Sequence, residues 1–415
     1  MPPFRFIHCS DLHIDSPFKG LSRVTPEWGE RLRRATAQAW DNIVRLALKE
    51  AVDAVLIAGD IYDGEDRGLQ AQFKFRRGLV RLAEAGIPAF IVCGNHDPLT
   101  SWSRALELPE TVTVFSGDAV ERRAVLKDGV AVAQIYGISF PEKSVTENLA
   151  RRFQREKREG FAIGLLHANV GGDPHHDNYA PCTLEELTAA GFDYWALGHI
   201  HTRRILRPAH PAVVYCGNAQ ARHFREPGPR GCCLVTLRED AEPEIRFVAT
   251  DAVRFASEAV DLGAAGTPDA ALDRIESVLR PHLEEAGERR LALKVELSGR
   301  TPLHPALTRG NTVQDLEEEL RLRWPADQVW LELEDRTRGV FDLEQLRGGQ
   351  DFIADLLAQY DEALGGADET VDQVLAELFR KWKGNALLDA PGEAEVRDLL
   401  ERARDLTLDH LLAQE

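Results

Sequence analysis

What the sequence lacks narrows the reading first. No run of about 18 apolar residues occurs, which excludes a transmembrane helix. The first residues, MPPFRFIHCSDLH, have no basic stretch followed by a long apolar one. They enter a strand at once, so no signal peptide is expected and the expected location is cytoplasmic. No C-x-x-C pair occurs either. Cys9, Cys93, Cys182, Cys216, Cys232 and Cys233 are dispersed, which argues against a zinc knuckle or a redox dithiol. Most of them sit in apolar runs and read as small buried residues of a reduced protein. Internal repeats and low-complexity tracts are absent as well. Positive charge is in deficit, with a net charge of −18. The deficit is uneven: residues 1–250 hold 31 Lys+Arg against 32 Asp+Glu, and residues 251–415 hold 19 against 36. The first part can approach a polyanion. The second would repel one, and suits folding, solubility or a protein partner.

A chain of 415 residues exceeds one ordinary core and predicts two or three domains. Residues 1–250 alternate short apolar runs with helical patterns. The runs are FRFIHC (4–9), AVLIAG (54–59), AFIVCG (89–94), AIGLLH (162–167), YWALGH (194–199) and AVVYCG (212–217). Amphipathic stretches lie near 27–51 and 68–86. This order predicts an α/β domain with a buried sheet. Residues 111–138 read as consecutive antiparallel strands. A strand-helix-strand-helix-strand order over 251–338 predicts a small α+β domain with an accessory or capping role. Residues 339–415 read as helices. Val371, Val374, Leu375, Leu378, Phe379 and Trp382 share one face; Val396, Leu399, Leu400, Ala403 and Leu406 share another.

The stretch IVCGNHDP (91–98) poses the functional question: a hydrophobic strand stops on Asn95, His96 and Asp97. One such junction is a turn. Here the event recurs. The first strand ends on Asp11 and His13, the second on Asp60, a later one on His167, and another on His199 and His201. Binding sites of α/β sheets lie at that edge. The set mixes imidazole nitrogen with carboxylate and amide oxygen and holds no thiolate. It selects borderline divalent ions such as Mn²⁺, Fe²⁺ or Zn²⁺. Asp11, His13, Asp60, Asn95, His167, His199 and His201 make seven candidates, which exceed the three or four protein ligands of one catalytic ion. Two ions sharing a carboxylate would use all seven.

D-x-H, G-D-x-x-D, G-N-H-D, a lone H and G-H-x-H, in that order, resemble the calcineurin-like metallophosphoesterase superfamily over residues 1 to about 230. The resemblance implies a four-layer α/β/β/α sandwich with a di-metal centre. By that analogy Asp11, His13, Asp60 and His201 hold one ion. Asp60, Asn95, His167 and His199 hold the other, with Asp60 bridging. His96 is the non-ligand catalytic histidine. Asp97 either orients His96 or simply forms the turn. SDLHIDSPFKGL (10–21), GDIYDG, GNHDP, LGHIHTR and YCGNAQARHFREPGPRGC (215–232) are similar to the SbcD-type DNA repair nuclease group, and to its YhaO-like branch in particular. That likeness implies a nuclease acting on DNA, with Mn²⁺ as the favoured metal, an SMC-like coiled-coil ATPase as partner, and a dimer. The C-terminal helices then become a candidate docking module for the ATPase. A small-molecule phosphodiesterase or phosphatase, or a non-catalytic scaffold for the ATPase, would share the same fold.

Other residues divide between bland and functional readings. His8 reads as a packed strand histidine. His175 and His176 lie in a polar loop and are not taken as ligands. Asp15 and Ser16 fit a turn before Pro17. Asp63 either bonds a site histidine or caps the next helix. Arg203, Arg204 and Arg207 follow the last ligands. Arg222 and His223, in an otherwise neutral domain, are expected to contact a phosphate backbone.

Overall fold

Strand β1 (Phe4–Cys9) shows how the layers arise. Successive side chains of a strand face opposite sides. Phe4 and Phe6 enter one buried cluster, whereas Ile7 and Cys9 enter another. The next strand, β2 (Ala54–Ala58), divides in the same way, with Leu56 on one side and Ile57 on the other. Both faces of this sheet are therefore covered, as parallel pairing demands. The computed structural model describes residues 2–16, 18, 25–64, 68–101, 107–156, 159–173, 177–325, 327–365 and 392–412.

The described chain divides into two compact units. The first comprises residues 1–256, 286–292 and 327–330, and the second the rest. In the first unit, β1 and β2 continue through β3 (Ala89–Val92) and β4 (Val112–Val114). A second sheet is built from β5 (Glu121–Lys127), β6 (Val130–Gly137), β7 (Phe161–His167), β8 (Tyr194–Gly198), β9 (Arg204–Arg207) and β10 (Ala212–Tyr215), in the order β5-β6-β7-β8-β10-β9. The chain then returns to the first sheet with β11 (Gly231–Leu237) and β12 (Glu244–Ala249), giving β12-β11-β1-β2-β3-β4.

The two sheets face each other across one core, in which Phe4, Phe6 and Leu56 meet Ile135, Ile163, Leu165 and Ala196. Helices α1 (Pro26–Glu50) and α2 (Leu69–Glu84) cover the first sheet through Trp40, Ile43, Phe75 and Leu79. Leu187 of α3 (Leu184–Ala189), with Phe153 and Phe192, covers the second through Trp195 and Leu197. This is the four-layer sandwich. One strand departs from expectation. Val112–Val114 pairs parallel with β3, so the antiparallel hairpin of this region is β5–β6 alone. Periodicity marks a strand but not its neighbour.

The second sheet system, a small one, has three strands: β13 (Val253–Asp261), β14 (Arg290–Ser298) and β15 (Val329–Asp335). Between them run α4 (Pro268–Ala286), α5 (His304–Thr308) and α6 (Thr312–Arg323), so the alternation matches the expected α+β order. Helices Phe352–Gly365 and Glu393–Leu412 follow and belong to the second unit. The expected apolar face from Val371 to Trp382 lies outside the described residues. On helix Glu393–Leu412 the buried face differs from the apolar pattern. Val396, Arg404, Asp405 and Leu408 are buried, while Leu399 and Leu406 are 47% and 59% exposed. Among the described residues, no helix is long and apolar enough to cross a membrane.

Candidate metal centre

The strand ends are drawn together by backbone bonds before any side chain acts. Asp11 N donates to Gly59 O at 3.0 Å, His13 N to Asp60 O at 3.1 Å and Ile14 N to Ile61 O at 2.8 Å. Asp11, His13, Asp60 and His199 all have positive φ, at 50°, 44°, 53° and 97°. Such backbones are costly for side-chain-bearing residues and gather at functional sites. The glycines beside the candidate donors are explained by close approach. A Cβ on Gly94 would lie 2.2 Å from Asp60 Oδ1 and 2.9 Å from His167 Nε2. One on Gly198 would lie 1.8 Å from Ala58 O and 2.9 Å from His167 Nδ1. The ring of His167 fills the space that any larger residue would need.

The structure brings the candidate donors together. Donor atoms of Asp11, His13 and His201 all lie within 4.8 Å of one another, and so do those of Asp11, Asp60 and His167. Asp11 belongs to both of these groups, and a third group, His13 with Asp63 and His96, shares His13 with the first. Asn95 Oδ1 is 3.0 Å, and Asp60 Oδ2 3.4 Å, from His167 Nε2. His199 packs its ring 5.2 Å from that of His167, and its backbone N–H donates to Asp11 Oδ1 at 3.2 Å.

Hydrogen bonds on the far side of each ring fix which nitrogen faces inward. His167 Nδ1 is 2.8 Å from Ala58 O and must donate to it. Its Nε2 then presents a lone pair to the oxygens of Asn95 and Asp60. His201 Nδ1 donates to Glu226 Oε1 at 2.6 Å, so its Nε2 presents a lone pair to His13 Nε2, 3.2 Å away. His199 Nε2 donates to Asp177 O at 2.7 Å. His13 Nδ1 is buried without a protein hydrogen-bond partner. Donor atoms that converge in a buried space suit a cation between them, and nitrogen–oxygen donors without thiolate fit a borderline divalent ion. The electrostatics agree. Burial, with the field of Asp60 added, raises the Asp11 carboxyl against the opposing pull of His201 and His167. Burial above all, then Arg222 and the neighbouring histidines, pushes His13 well below its usual value and keeps it neutral.

His96 stands at the edge of this cluster. Its Nδ1 is 2.8 Å from Asp63 Oδ1. Burial lowers its proton affinity, but the Asp63 hydrogen bond and the charges of Asp60 and Asp63 outweigh this and raise it. Asp63 itself is held far below the usual carboxylate range by His96, Ser16 and Arg222, against the effect of burial. Asp97 bonds backbone N–H groups through both oxygens. Its Oδ1 accepts from Gly94 N and its Oδ2 from Ile61 N, both at 2.8 Å, and the carboxylate on His96 Nδ1 is that of Asp63.

Arg222 and His223, expected as contacts to a phosphate backbone, are engaged inside the protein. Arg222 is 14% exposed at its side chain, and Nη1 donates to Asp63 Oδ2 at 3.0 Å and Ser16 Oγ at 3.1 Å. His223 Nε2 lies 3.7 Å from Glu226 Oε1. His8 is packed as expected, between Tyr194 Oη at 3.0 Å and Leu197 O at 3.1 Å, and burial pulls it down to about 3. His175 and His176 lie outside the described residues. The sequence reading missed Glu226, which orients His201, and the inward turn of Arg222. The only signal was the R-H-F-R-E run itself, since neither residue lies at a strand end.

Comparisons with known proteins accord with this geometry. The pattern of the calcineurin-like phosphoesterase family matches residues 4–203, and that of the middle domain of metallophosphoesterase YhaO matches residues 255–338. The metallophosphoesterase YhaO of Bacillus subtilis is 33% identical, over 96% of each chain. DNA double-strand break repair protein Mre11 of Sulfurisphaera tokodaii is 27% identical over 50% of this chain and 51% of its own. The SbcD component of the SbcCD nuclease of Bacillus subtilis is 23% identical over 54% of this chain and 63% of its own. The chain thus spans about half of that Mre11 and under two thirds of that SbcD.

Proposed function

The chain belongs to the calcineurin-like metallophosphoesterases, and on that premise we propose that it is a DNA nuclease, working with two divalent ions, most favourably Mn²⁺. The observation that carries the reading is the buried convergence of lone pairs from Asp11, His13, Asp60, Asn95, His167 and His201 at one sheet edge. Asp11, His13, Asp60 and His201 would hold one ion, and Asp60, Asn95, His167 and His199 the other. When bound, such ions supply a nucleophile from water near neutral pH and offset charge on the phosphoryl oxygens.

The protein's own residues do the rest. Glu226, Ala58 O and Asp177 O fix the tautomers of His201, His167 and His199. Asp63 accepts from His96 Nδ1, so Nε2 is the atom that can give a proton to the departing oxygen. A DNA alkoxide is a poor leaving group, and this proton lowers the cost of its departure. DNA is favoured as substrate by likeness to proteins named for double-strand break repair and for nuclease activity. An SMC-like ATPase partner, docking through residues 339–415, and a cytoplasmic location complete the proposal.

The test is incubation of linear duplex and single-stranded DNA with the wild type and Asp60→Ala, with and without Mn²⁺. Mn²⁺-dependent degradation by the wild type alone is expected. No degradation by a fully metal-loaded wild type would reject the reading.

A further inference from the structure

Asp63 and Arg222 are separated by 159 residues in sequence, yet they meet at 3.0 Å beside the candidate proton donor. We propose that Arg222 is a positioning residue, which clamps the Asp63 carboxylate and through it sets the ring of His96; this rests on the nuclease reading above. The Asp63 carboxylate is fully committed. Oδ2 accepts from Arg222 Nη1 at 3.0 Å and from Ser16 Oγ at 2.7 Å, which leaves Oδ1 for His96 Nδ1 at 2.8 Å. Arg222 Nη1 also reaches Ser16 Oγ at 3.1 Å, closing a triangle that resists rotation of the carboxylate. A carboxylate held on one oxygen by two donors presents the other in a fixed direction.

Arg222 is itself anchored. Its backbone N–H donates to Glu226 Oε2 at 2.8 Å, and Glu226 Oε1 accepts from His201 Nδ1 at 2.6 Å. One five-residue segment, Arg222 to Glu226, therefore orients both a candidate metal ligand and the candidate proton donor. A rival role would be a direct phosphate clamp. Nη1 is spent on Asp63 and Ser16, and Nε is buried without a hydrogen-bond partner, so only Nη2 is left to a phosphate.

Leaving-group dependence separates the two roles. A phenolate leaves readily without a proton, whereas the alkoxide of DNA needs one. The experiment measures kcat and KM of wild type, Arg222→Gln, Asp63→Asn and the double variant, on linear DNA and on bis(p-nitrophenyl) phosphate, with metal content checked for each. Arg222→Gln is expected to lower kcat on DNA at least about tenfold further than on the phenyl diester, with KM for DNA within about twofold. Asp63→Asn should show the same split, and the double variant should be no worse than Asp63→Asn alone. Arg222→Lys, which keeps a donor to Asp63, should recover part of the loss and carries the test should the glutamine variant not fold. Equal losses on both diesters, a rise in KM alone, or additive losses in the double variant would overturn the positioning role while leaving the nuclease reading intact. A metal-loaded wild type that leaves DNA uncut would instead reject the nuclease reading, and the positioning role with it.

Discussion

Nδ1 of His96 lies 2.8 Å from Oδ1 of Asp63, at the rim of the buried donor cluster. The contact gives His96 a partner that stabilises its charged form, and it leaves Nε2 for a substrate oxygen. The effect should appear in turnover and not in metal content. His96→Ala is expected to keep its metal and to lose about 10²–10⁴ in kcat on DNA. Elemental analysis and a nuclease assay check both halves, and unchanged turnover would exclude the role.

Asp60 is 1% exposed, and Oδ1 already accepts from His96 N at 3.0 Å while Oδ2 faces His167 Nε2. A bridging carboxylate at this point would be shared by both ions. Asp60→Ala is therefore expected to bind less than one equivalent of Mn²⁺ after dialysis. Asp11 lies in two of the donor groups, which makes Asp11→Ala the informative companion. Two equivalents retained in Asp60→Ala, with loss in Asp11→Ala, would transfer the bridging role to Asp11.

Gly94 gives a prediction free of charge effects. Its added Cβ would lie 2.2 Å from Asp60 Oδ1, 2.8 Å from His167 Cε1 and 2.9 Å from His167 Nε2. The contact atoms are the donors themselves, so Gly94→Ala must displace the cluster. Metal binding by calorimetry should be lost even where the circular dichroism of the variant matches the wild type. Wild-type affinity in Gly94→Ala would show that the donors do not act where the structure places them.

How much of this was legible in sequence follows from range. Asp11, Asp60, Asn95, His167 and His199 could be read because each closes a short apolar run, and α/β sheets gather such ends at one edge. The helices α1 and α2 were legible because their apolar period is local. That Asp63 bonds a site histidine was legible as one of two alternatives, but its choice of His96, and Glu226 as partner of His201, were not, because those bonds are made by turns folded back from distant parts of the chain. The parallel placement of Val112–Val114 was lost for the same reason. Helix Glu393–Leu412 was misread differently. It buries Arg404 and Asp405 among charges, and a count of apolar residues ignores that kind of contact.

Glu226 predicts a pH dependence. Burial alone would raise its carboxyl, but the hydrogen bond and charge of His201 and the backbone N–H of Arg222 bring it down to about 2. An unfolded glutamate titrates near 4.3. A depressed carboxylate contributes stability that is fully present above the unfolded value and is lost as pH falls toward the folded one. The window is thus about pH 4.3 down to about 2, and the contribution is on the order of 3 kcal/mol. In metal-free protein, the stability gap between wild type and Glu226→Gln should shrink as pH falls from about 5 to about 3. A gap that stays constant across that range would contradict the cause given.

The last described helix offers a test within the second unit. Thr337 Oγ1 donates to Asp335 Oδ1 at 2.7 Å, so it can only accept from His304 Nδ1, 2.8 Å away. His304 Nε2 faces Asp409 Oδ2 at 2.8 Å, and a carboxylate also only accepts. His304 thus joins Thr337 to Asp409 of helix Glu393–Leu412. Arg300 adds an ion pair to Asp405 at 2.6 Å, and Arg338 another to Asp398 at 2.8 Å. Few apolar side chains share this contact, Val396 and Leu408 being buried while Leu399 and Leu406 face outward. His304→Leu removes both bonds and leaves Asp409 and Thr337 without them, at a cost of about 1–3 kcal/mol. Amide hydrogen exchange over residues 393–412 should accelerate in this variant at fixed pH. Exchange that is insensitive to the substitution would mean that the other contacts hold the helix without His304.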